Sequence, residues 1–148
     1  MVNSSDIESF WTRGDLYSRV SQAMSKAGLN DKKLEIEDLF PIDQYHARGI
    51  AATVDLGKRM PISENHKIID IGCGLGGPAR YFAKHFKCLV TGIDITPSFI
   101  EIGNKFNKLT SMSEHVNLQI GNGETLDFDD ENFDGGYSQH VTMNIKNR

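Results

Sequence analysis

The glycine-rich segment 70–77 is the part of the sequence whose residue types and spacing most clearly indicate chemistry. Gly72, Gly74 and Gly77 follow the pattern G-x-G-x-x-G, which is typical of loops that bring a nucleotide cofactor against the start of a helix. Glycine suits such a loop because it has no Cβ, so the backbone can turn sharply and touch a ligand. The pattern alone is also compatible with a tight turn that binds nothing.

Two carboxylates bear on which cofactor this segment could hold, and one of them distinguishes between the candidates. Asp70 stands two residues before the first glycine, where its charge would repel the diphosphate of a dinucleotide such as NAD. S-adenosylmethionine has no phosphate and carries a sulfonium and an ammonium, so a carboxylate attracts it. Asp94 follows 24 residues later, where it can accept hydrogen bonds from the ribose of either cofactor. Asp70 therefore favours S-adenosylmethionine.

These residues need strands and helices that place them at one edge of a sheet. Short apolar runs predict buried strands, and Pro78 and Pro97 suit the first turns of two helices. Alternating strands and helices predict a parallel sheet with right-handed crossovers, which is an α/β, Rossmann-like fold. Strands are expected at 67–71, 88–94, 116–120 and 133–139, and helices at 78–86 and from Pro97 onward.

The N-terminal part of the sequence is predicted to be helical, since its apolar residues recur at helical spacing. Residues 1–62 would form a helical cap, and residues 63–148 would form the S-adenosylmethionine-binding domain. Asp43 is predicted to cap the start of a long helix, and Pro41 to end a short one. The expected helices lie at 15–29, at 36–39 and from Asp43 to about Met60.

Composition narrows the class of ligand and the cellular setting. The 148 residues include 16 Lys and Arg against 20 Asp and Glu, and this net charge of −4 is unsuited to holding a nucleic-acid backbone. Cys73 and Cys88 have neither disulfide-framework nor metal-ligand spacing, which predicts a reducing, cytoplasmic location. No group of Asp, Glu, His and Cys has metal-ligand spacing, so we expect no metal. No apolar run approaches the ~18 residues of a membrane span. We expect a small-molecule ligand, with no nucleic acid and no membrane as partner.

Taken together, these segments resemble class I S-adenosylmethionine-dependent methyltransferases. The resemblance is greatest to small-molecule enzymes of the sarcosine/dimethylglycine, phosphoethanolamine, sterol and tocopherol methyltransferase type. It implies methyl transfer to an amine nitrogen or to a carbon of a quinone- or sterol-like acceptor. Enzymes of the superfamily that methylate base amines usually carry prolines after the fourth strand, and 138–142 has none. The stretches that carry the resemblance are 43–46, 69–81, 91–94 and 133–145.

The resemblance implies roles for residues on the cofactor side of the site. Asp94 would bind the ribose of S-adenosylmethionine. Ile95 would lie against the adenine, with ordinary packing at a strand end as the equal alternative. Asn122 stands where the family usually has Asp, so it keeps an acceptor for the adenine amino group without the charge. The other implied cofactor contacts are Asp70, Gly72, Gly74, Gly123 and Gln139.

The same resemblance places Gln139 and His140 beside the reacting methyl group and Tyr45 near the start of a helix that covers the cofactor. His140 and Tyr45 are the catalytic candidates. His140 follows the fourth strand, at the carboxyl end where open α/β sheets bind ligands. Methyl transfer chiefly needs alignment, and a base helps only when the nucleophile arrives protonated. A structural role stays the equal alternative for His140, and Tyr45 and His46 either line the pocket or only pack beside it.

The length of the sequence bears on its activity. The family fold has seven strands in the order 3-2-1-4-5-7-6, and this sequence supplies four, so the expected fold is truncated after the fourth strand, in the order 3-2-1-4. Strand four would then be an exposed edge, to which a second copy or a complementing chain could add. Three outcomes stay open: a fragment without turnover, an enzyme completed by another chain, or a nonenzymatic S-adenosylmethionine-binding or interaction module.

Overall fold

The computed structural model describes residues 16–26, 28–29, 33–44 and 46–145. Along them, three helices precede the first strand, and strands then alternate with helices up to β3. None of the helices described is long and apolar enough to cross a membrane. In chain order the elements are α1 (Leu16–Lys26), α2 (Ile36–Asp43), α3 (Ile50–Gly57), β1 (Lys67–Ile71), α4 (Gly77–Phe86), β2 (Leu89–Asp94), α5 (Pro97–Leu109), β3 (Val116–Ile120), β4 (Gly135–Tyr137) and a 3₁₀ helix (Thr142–Asn144).

The four strands form one parallel sheet in the order β3-β2-β1-β4, which confirms the predicted fold class. Asp70 in β1 pairs with Gly92, and Asp94 ends β2 opposite Ile120 of β3. Because the strands are parallel, their carboxyl ends share one edge of the sheet, where open α/β sheets bind ligands. The fold therefore brings both aspartates and the glycine-rich segment to that edge.

One face of the sheet is buried against α4. Ile68, Val90 and Leu118 are each at most 3% exposed and belong to one cluster with Phe82 of the helix. The Phe82 ring stacks on Tyr137 of β4, with ring centroids 4.6 Å apart. Burying side chains of this size contributes about 1.5–3 kcal/mol each. This core holds the strand ends in place.

The N-terminal helices differ from the prediction. α2 continues through Pro41 to Asp43, so Pro41 does not end it and Asp43 does not cap the next helix. Pro41 removes one backbone hydrogen bond, and the buried face of α2 offsets this loss. The predicted long helix is interrupted because Arg48 and Gly49 have φ angles of 70° and 50°, outside the helical range. Asp43 instead forms an ion pair with Arg80.

The alternating part of the chain follows the prediction except at β4. β1 and β3 have the predicted bounds, and α5 begins at Pro97 as expected. The strand predicted over 133–139 is shorter, since β4 spans only Gly135–Tyr137. Its two glycines have no side chain to pack, which weakens a strand. Within the described residues β4 pairs with β1 alone, so its other edge has no strand beside it there.

Arg80 of α4 joins α2, the glycine-rich segment and α5 through a buried guanidinium. Its Nη2 donates to Asp43 Oδ2 at 3.0 Å and to the Leu75 carbonyl. Its Nη1 donates to Asn107 Oδ1 at 2.7 Å and to the Gly103 carbonyl at 3.2 Å. The side chains of Arg80 and Asp43 are 0% and 1% exposed. Burial raises the pKa of Asp43 and lowers that of Arg80, and the ion pair opposes both shifts.

Replacing Arg80 with Met should lower the free energy of unfolding by about 3–5 kcal/mol, because it leaves the Asp43 carboxylate buried without its partner. Urea unfolding followed by circular dichroism measures the loss. Arg48→Met is the matched control, since Arg48 and Asp55 form an ion pair that is 65% and 42% exposed, and such pairs contribute about 0–1 kcal/mol. Equal losses in the two variants would contradict this interpretation.

Candidate functional site

The glycine-rich segment forms the turn between β1 and α4. The amides of Gly72 and Cys73 donate to the Ile93 carbonyl at 2.8 and 2.9 Å, which ties the turn to β2. Gly72 and Gly74 have φ angles of 78° and 55°, a region that favours glycine. A Cβ at Gly72 would collide with Val141, whereas a Cβ at Gly74 would meet no atom within 4 Å. The turn is therefore packed at Gly72 and open at Gly74, where a ligand can approach the backbone.

Asp94 lies beside this open position. Its Oδ2 accepts a hydrogen bond from the Gly74 amide and its Oδ1 accepts one from the Thr96 amide, both at 2.9 Å. These bonds fix the carboxylate at the end of β2, and each oxygen keeps acceptor capacity for a further donor. The geometry suits a pair of ribose hydroxyls, the role that the sequence predicts for Asp94.

Asp70 is enclosed by protein, with 1% of its area exposed. Its Oδ2 accepts a hydrogen bond from the Tyr137 hydroxyl at 2.9 Å. Burial raises the pKa of Asp70 to about 7; the Tyr137 hydrogen bond opposes this shift, and the Asp94 charge adds to it. Asp70 is therefore partly protonated near neutral pH. A cation held nearby would favour its ionised form.

The residues predicted on the adenine side follow β2 and β3. Asn122 Oδ1 accepts a hydrogen bond from the Glu124 amide at 2.9 Å, so this oxygen already belongs to a turn. Asn122 also lines an open depression with a volume of about 120 Å³. Ile95 and Gly123 are partly exposed and do not line that depression. The structure thus brings Asn122 to a concave surface and leaves the contacts of the other two residues as predictions.

A polar cluster at the end of β4 includes two residues that the sequence did not single out, Thr53 and Gln44. The Thr53 Oγ1 lies 2.8 Å from Gln44 Oε1 and 3.3 Å from Gln139 Oε1. The Nε2 of His46 lies 3.3 Å from the same hydroxyl. The His46 ring stacks on that of His140, with centroids 5.6 Å apart and planes inclined by 13°. The structure therefore brings His46, Gln139 and His140 together.

The two histidines have different surroundings. Burial is the main reason that the pKa of His46 lies below its usual value; the Ala47 carbonyl opposes this shift, and His140 adds to it. His46 is therefore mostly neutral at pH 7. His140 is exposed, with a φ angle of 59° that residues with a Cβ rarely adopt. Tyr45, the other predicted catalytic residue, lies outside the described residues.

Part of this site had no signal in the sequence. Helical spacing from Ile50 indicates that Thr53 is buried, but it does not identify the hydrogen-bond partners of Thr53. These partners lie 7, 9 and 86 residues away in the sequence. The hydrogen bond from Tyr137 to Asp70 spans 67 residues. Such partners become visible only when the sheet order and register are known.

Comparison with known proteins identifies the family. A family model described as a methyltransferase domain matches residues 69–148, more than half of the chain, and the chain belongs to this family. A curated relative, 24-methylenesterol C-methyltransferase 3 of Arabidopsis thaliana, is 40% identical over 89 residues. This match covers 60% of this chain and 24% of that protein. The chain thus spans about a quarter of the length of the curated relatives it matches.

Solved structures confirm the fold. Geranyl diphosphate C-methyltransferase from Streptomyces coelicolor has a TM-score of 0.63 at 21% identity, covering 65% of this chain and 36% of that one. The cyclase SpnF has a TM-score of 0.64 at 20% identity, covering 90% of this chain and 48% of that one. Both likenesses concern the fold alone. The four described strands form part of the fold of class I S-adenosylmethionine-dependent methyltransferases, in the order that the sequence predicted.

Substituting Asp70 with Asn should change how stability depends on pH. In the folded protein the pKa of Asp70 is about 7, against an ordinary value of 3.8. Between these values the folded state keeps a proton that the unfolded chain has released. The contribution of Asp70 to the free energy of unfolding therefore falls as the pH rises from about 4 to about 7.

Urea unfolding of both proteins at about pH 5 and about pH 7.5 measures this effect. The wild-type value minus the Asp70→Asn value should decrease with pH, by up to ~1.4 kcal/mol per pH unit. Tyr137→Phe removes the hydrogen bond that lowers the pKa of Asp70. In that background the contribution of Asp70 to the free energy of unfolding should keep falling up to a higher pH. A difference that is constant or grows with pH would be evidence against the raised pKa.

Proposed function

We propose that this chain binds S-adenosylmethionine at the carboxyl edge of its sheet and takes part in methyl transfer to a small molecule. The observation that carries the proposal is the Asp94 carboxylate, fixed beside the open backbone at Gly74 in a member of a methyltransferase family. The donor set fits this cofactor, since carboxylates suit a sulfonium and an ammonium. The segment 70–77 contains no Lys or Arg to bind a diphosphate.

Each predicted residue has a place in this proposal. Asp94 accepts hydrogen bonds from the ribose hydroxyls, and its two backbone bonds keep it oriented for them. Asp70 contributes a carboxylate whose ionised fraction increases when a cation approaches, because the pKa of Asp70 then falls. Asn122 binds the adenine amino group through its remaining acceptor capacity. The other proposed contacts are Gly72 and Gly74 with the methionine and ribose, Ile95 and Gly123 with the adenine, and Gln139 near the reacting methyl group.

The bound cofactor would supply an electrophilic methyl group, and the chain would align the acceptor with it and exclude water. His140 is the proposed base for an acceptor that arrives protonated. Its exposed ring at the end of β4, stacked on the mostly neutral His46, supports this role. The catalytic role proposed for Tyr45 rests on the family resemblance.

The acceptor is proposed to be a small organic molecule rather than a nucleic acid. The names of the relatives, sterol and 24-methylenesterol C-methyltransferases, favour a carbon of a sterol-like molecule over an amine nitrogen. A net charge of −4 is unfavourable for binding a phosphate backbone. A cytoplasmic location belongs to the same proposal and is supported by the free thiols of Cys73 and Cys88.

A second candidate function is an S-adenosylmethionine-binding module without turnover. It is favoured by the short β4, which has no strand beside its outer edge within the described residues. Turnover separates the two candidates. Methyl transfer to a sterol or a small amine by the chain alone supports the enzyme, and S-adenosylhomocysteine binding without transfer supports the module.

Isothermal titration tests the cofactor assignment. S-adenosylhomocysteine should bind the wild-type chain, and NAD should not. Asp94→Ala removes both backbone hydrogen bonds and the ribose acceptors, so it should weaken binding by about tenfold or more, as expected for loss of ~1.5–3 kcal/mol of charged hydrogen bonding. Asp129→Ala, in an exposed loop, is the control and should leave the affinity unchanged. NAD binding without a response to S-adenosylhomocysteine would overturn the assignment.

The outer edge of β4, which has no strand beside it in the part of the chain that the structure describes, supports a proposal about partners. An unpaired edge strand presents backbone donors and acceptors to which another chain can add. We propose that a second copy, or a complementing chain, pairs there and completes the acceptor side of the site. Light scattering across a concentration series should show a mass above the 16.5 kDa of one chain. A constant monomer mass at the highest concentration counts against self-association.

A further inference from the structure

Thr53 is a fully buried hydroxyl with polar partners from three parts of the chain. It lies in α3, and its Oγ1 is 2.8 Å from Gln44 at the end of α2. It is 3.3 Å from His46, in the segment between these helices, and 3.3 Å from Gln139, which follows β4. We expect the Thr53 hydroxyl to form a hydrogen bond with each of these neighbours, because a buried polar group without a partner costs free energy.

One assignment of protons satisfies these contacts. A hydroxyl donates one hydrogen bond and accepts up to two. The shortest contact makes Thr53 the donor to Gln44 Oε1. The two lone pairs of the Thr53 oxygen then accept hydrogen bonds from His46 Nε2–H and from the side-chain amide of Gln139. For the second bond the Gln139 amide is turned by 180°, so that its nitrogen faces the hydroxyl. In this assignment neutral His46 carries its proton on Nε2, so the 3.4 Å contact between its Nδ1 and the Ala47 carbonyl becomes a hydrogen bond only when the ring is protonated.

The Thr53 hydroxyl contacts both residues that adjoin the candidate base His140. His46 stacks on His140, and Gln139 precedes His140 in the chain. Thr53 lies in α3, whereas His140 lies in the segment that follows β4, so the contacts of Thr53 tie the helical part of the chain to the end of β4. His140 is exposed and has a strained φ angle, so its ring position depends on what lies against it.

We propose that Thr53 is a positioning residue, which holds His46 and Gln139 on two sides of His140 and thereby sets the orientation of that ring toward the methyl acceptor. The inference rests on the proposed function, because it takes His140 to face the acceptor. Thr53 itself touches no reacting atom.

The experiment compares Thr53→Val, which keeps the shape and removes the hydroxyl, with Thr53→Ser, which restores it. Imidazole ¹H–¹⁵N spectra of the full chain are recorded without ligand. In Thr53→Val the signals of both His46 and His140 should shift and their ring-to-ring contacts should weaken, and Thr53→Ser should return both toward wild type. Unchanged spectra in a folded Thr53→Val protein would overturn the proposal.

A measurement on the wild type keeps the test valid if Thr53→Val does not fold. At pH 8 the ¹⁵N shifts of neutral His46 should show the proton on Nε2, and a proton on Nδ1 would contradict the assigned hydrogen bonds.

S-adenosylhomocysteine titration is run in parallel. Failure of the wild type to bind it would count against the proposed function, while the spectra report on Thr53 independently. Where turnover is found, Thr53→Val should lower kcat about tenfold with little change in the cofactor affinity, and Thr53→Ser should recover it.

Discussion

The buried ion pair between Arg80 and Asp43 is the interaction on which the rest of the structure depends. Neither charge is stable in the interior alone, so the pair forms only when α2 and α4 are packed together. The same guanidinium also donates to Leu75 in the glycine-rich segment and to two groups of α5. α2 is thereby joined to the glycine-rich segment, whose shape depends on these contacts outside the sheet as well as on its hydrogen bonds to β2.

The alternating part of the fold could be predicted from the sequence because its signals are local. Short apolar runs marked the strands, and Pro97 marked a helix start. The N-terminal helices could not be predicted in the same way. Asp43 has the residue type of a helix cap, but its carboxylate is taken by Arg80, 37 residues away. Tertiary pairing of this kind overrides local preference.

In the candidate site, too, some features could be predicted from local sequence signals and others depend on tertiary contacts. Asp94 and Gly74 were predicted from motif spacing, and the structure places them in contact. The pKa of Asp70 could not be predicted, because it depends first on burial and then on the hydrogen bond from Tyr137. The contact of Thr53 with Gln139 could not be predicted either, since 86 residues separate them. Which residues lie at a strand end follows from the sequence pattern. Which side chains meet there follows from sheet order and register, which a single sequence does not specify.

The central claim is that S-adenosylmethionine binds at the turn where Asp94 meets Gly74. The most direct test is a backbone amide ¹H–¹⁵N titration of the isotope-labelled chain with S-adenosylhomocysteine. The Gly74 and Thr96 amides, which both donate to Asp94, should shift in a saturable way, while amides on the far surface of α4 stay in place. Saturable shifts confined to another part of the chain, or none at all, would contradict the claim.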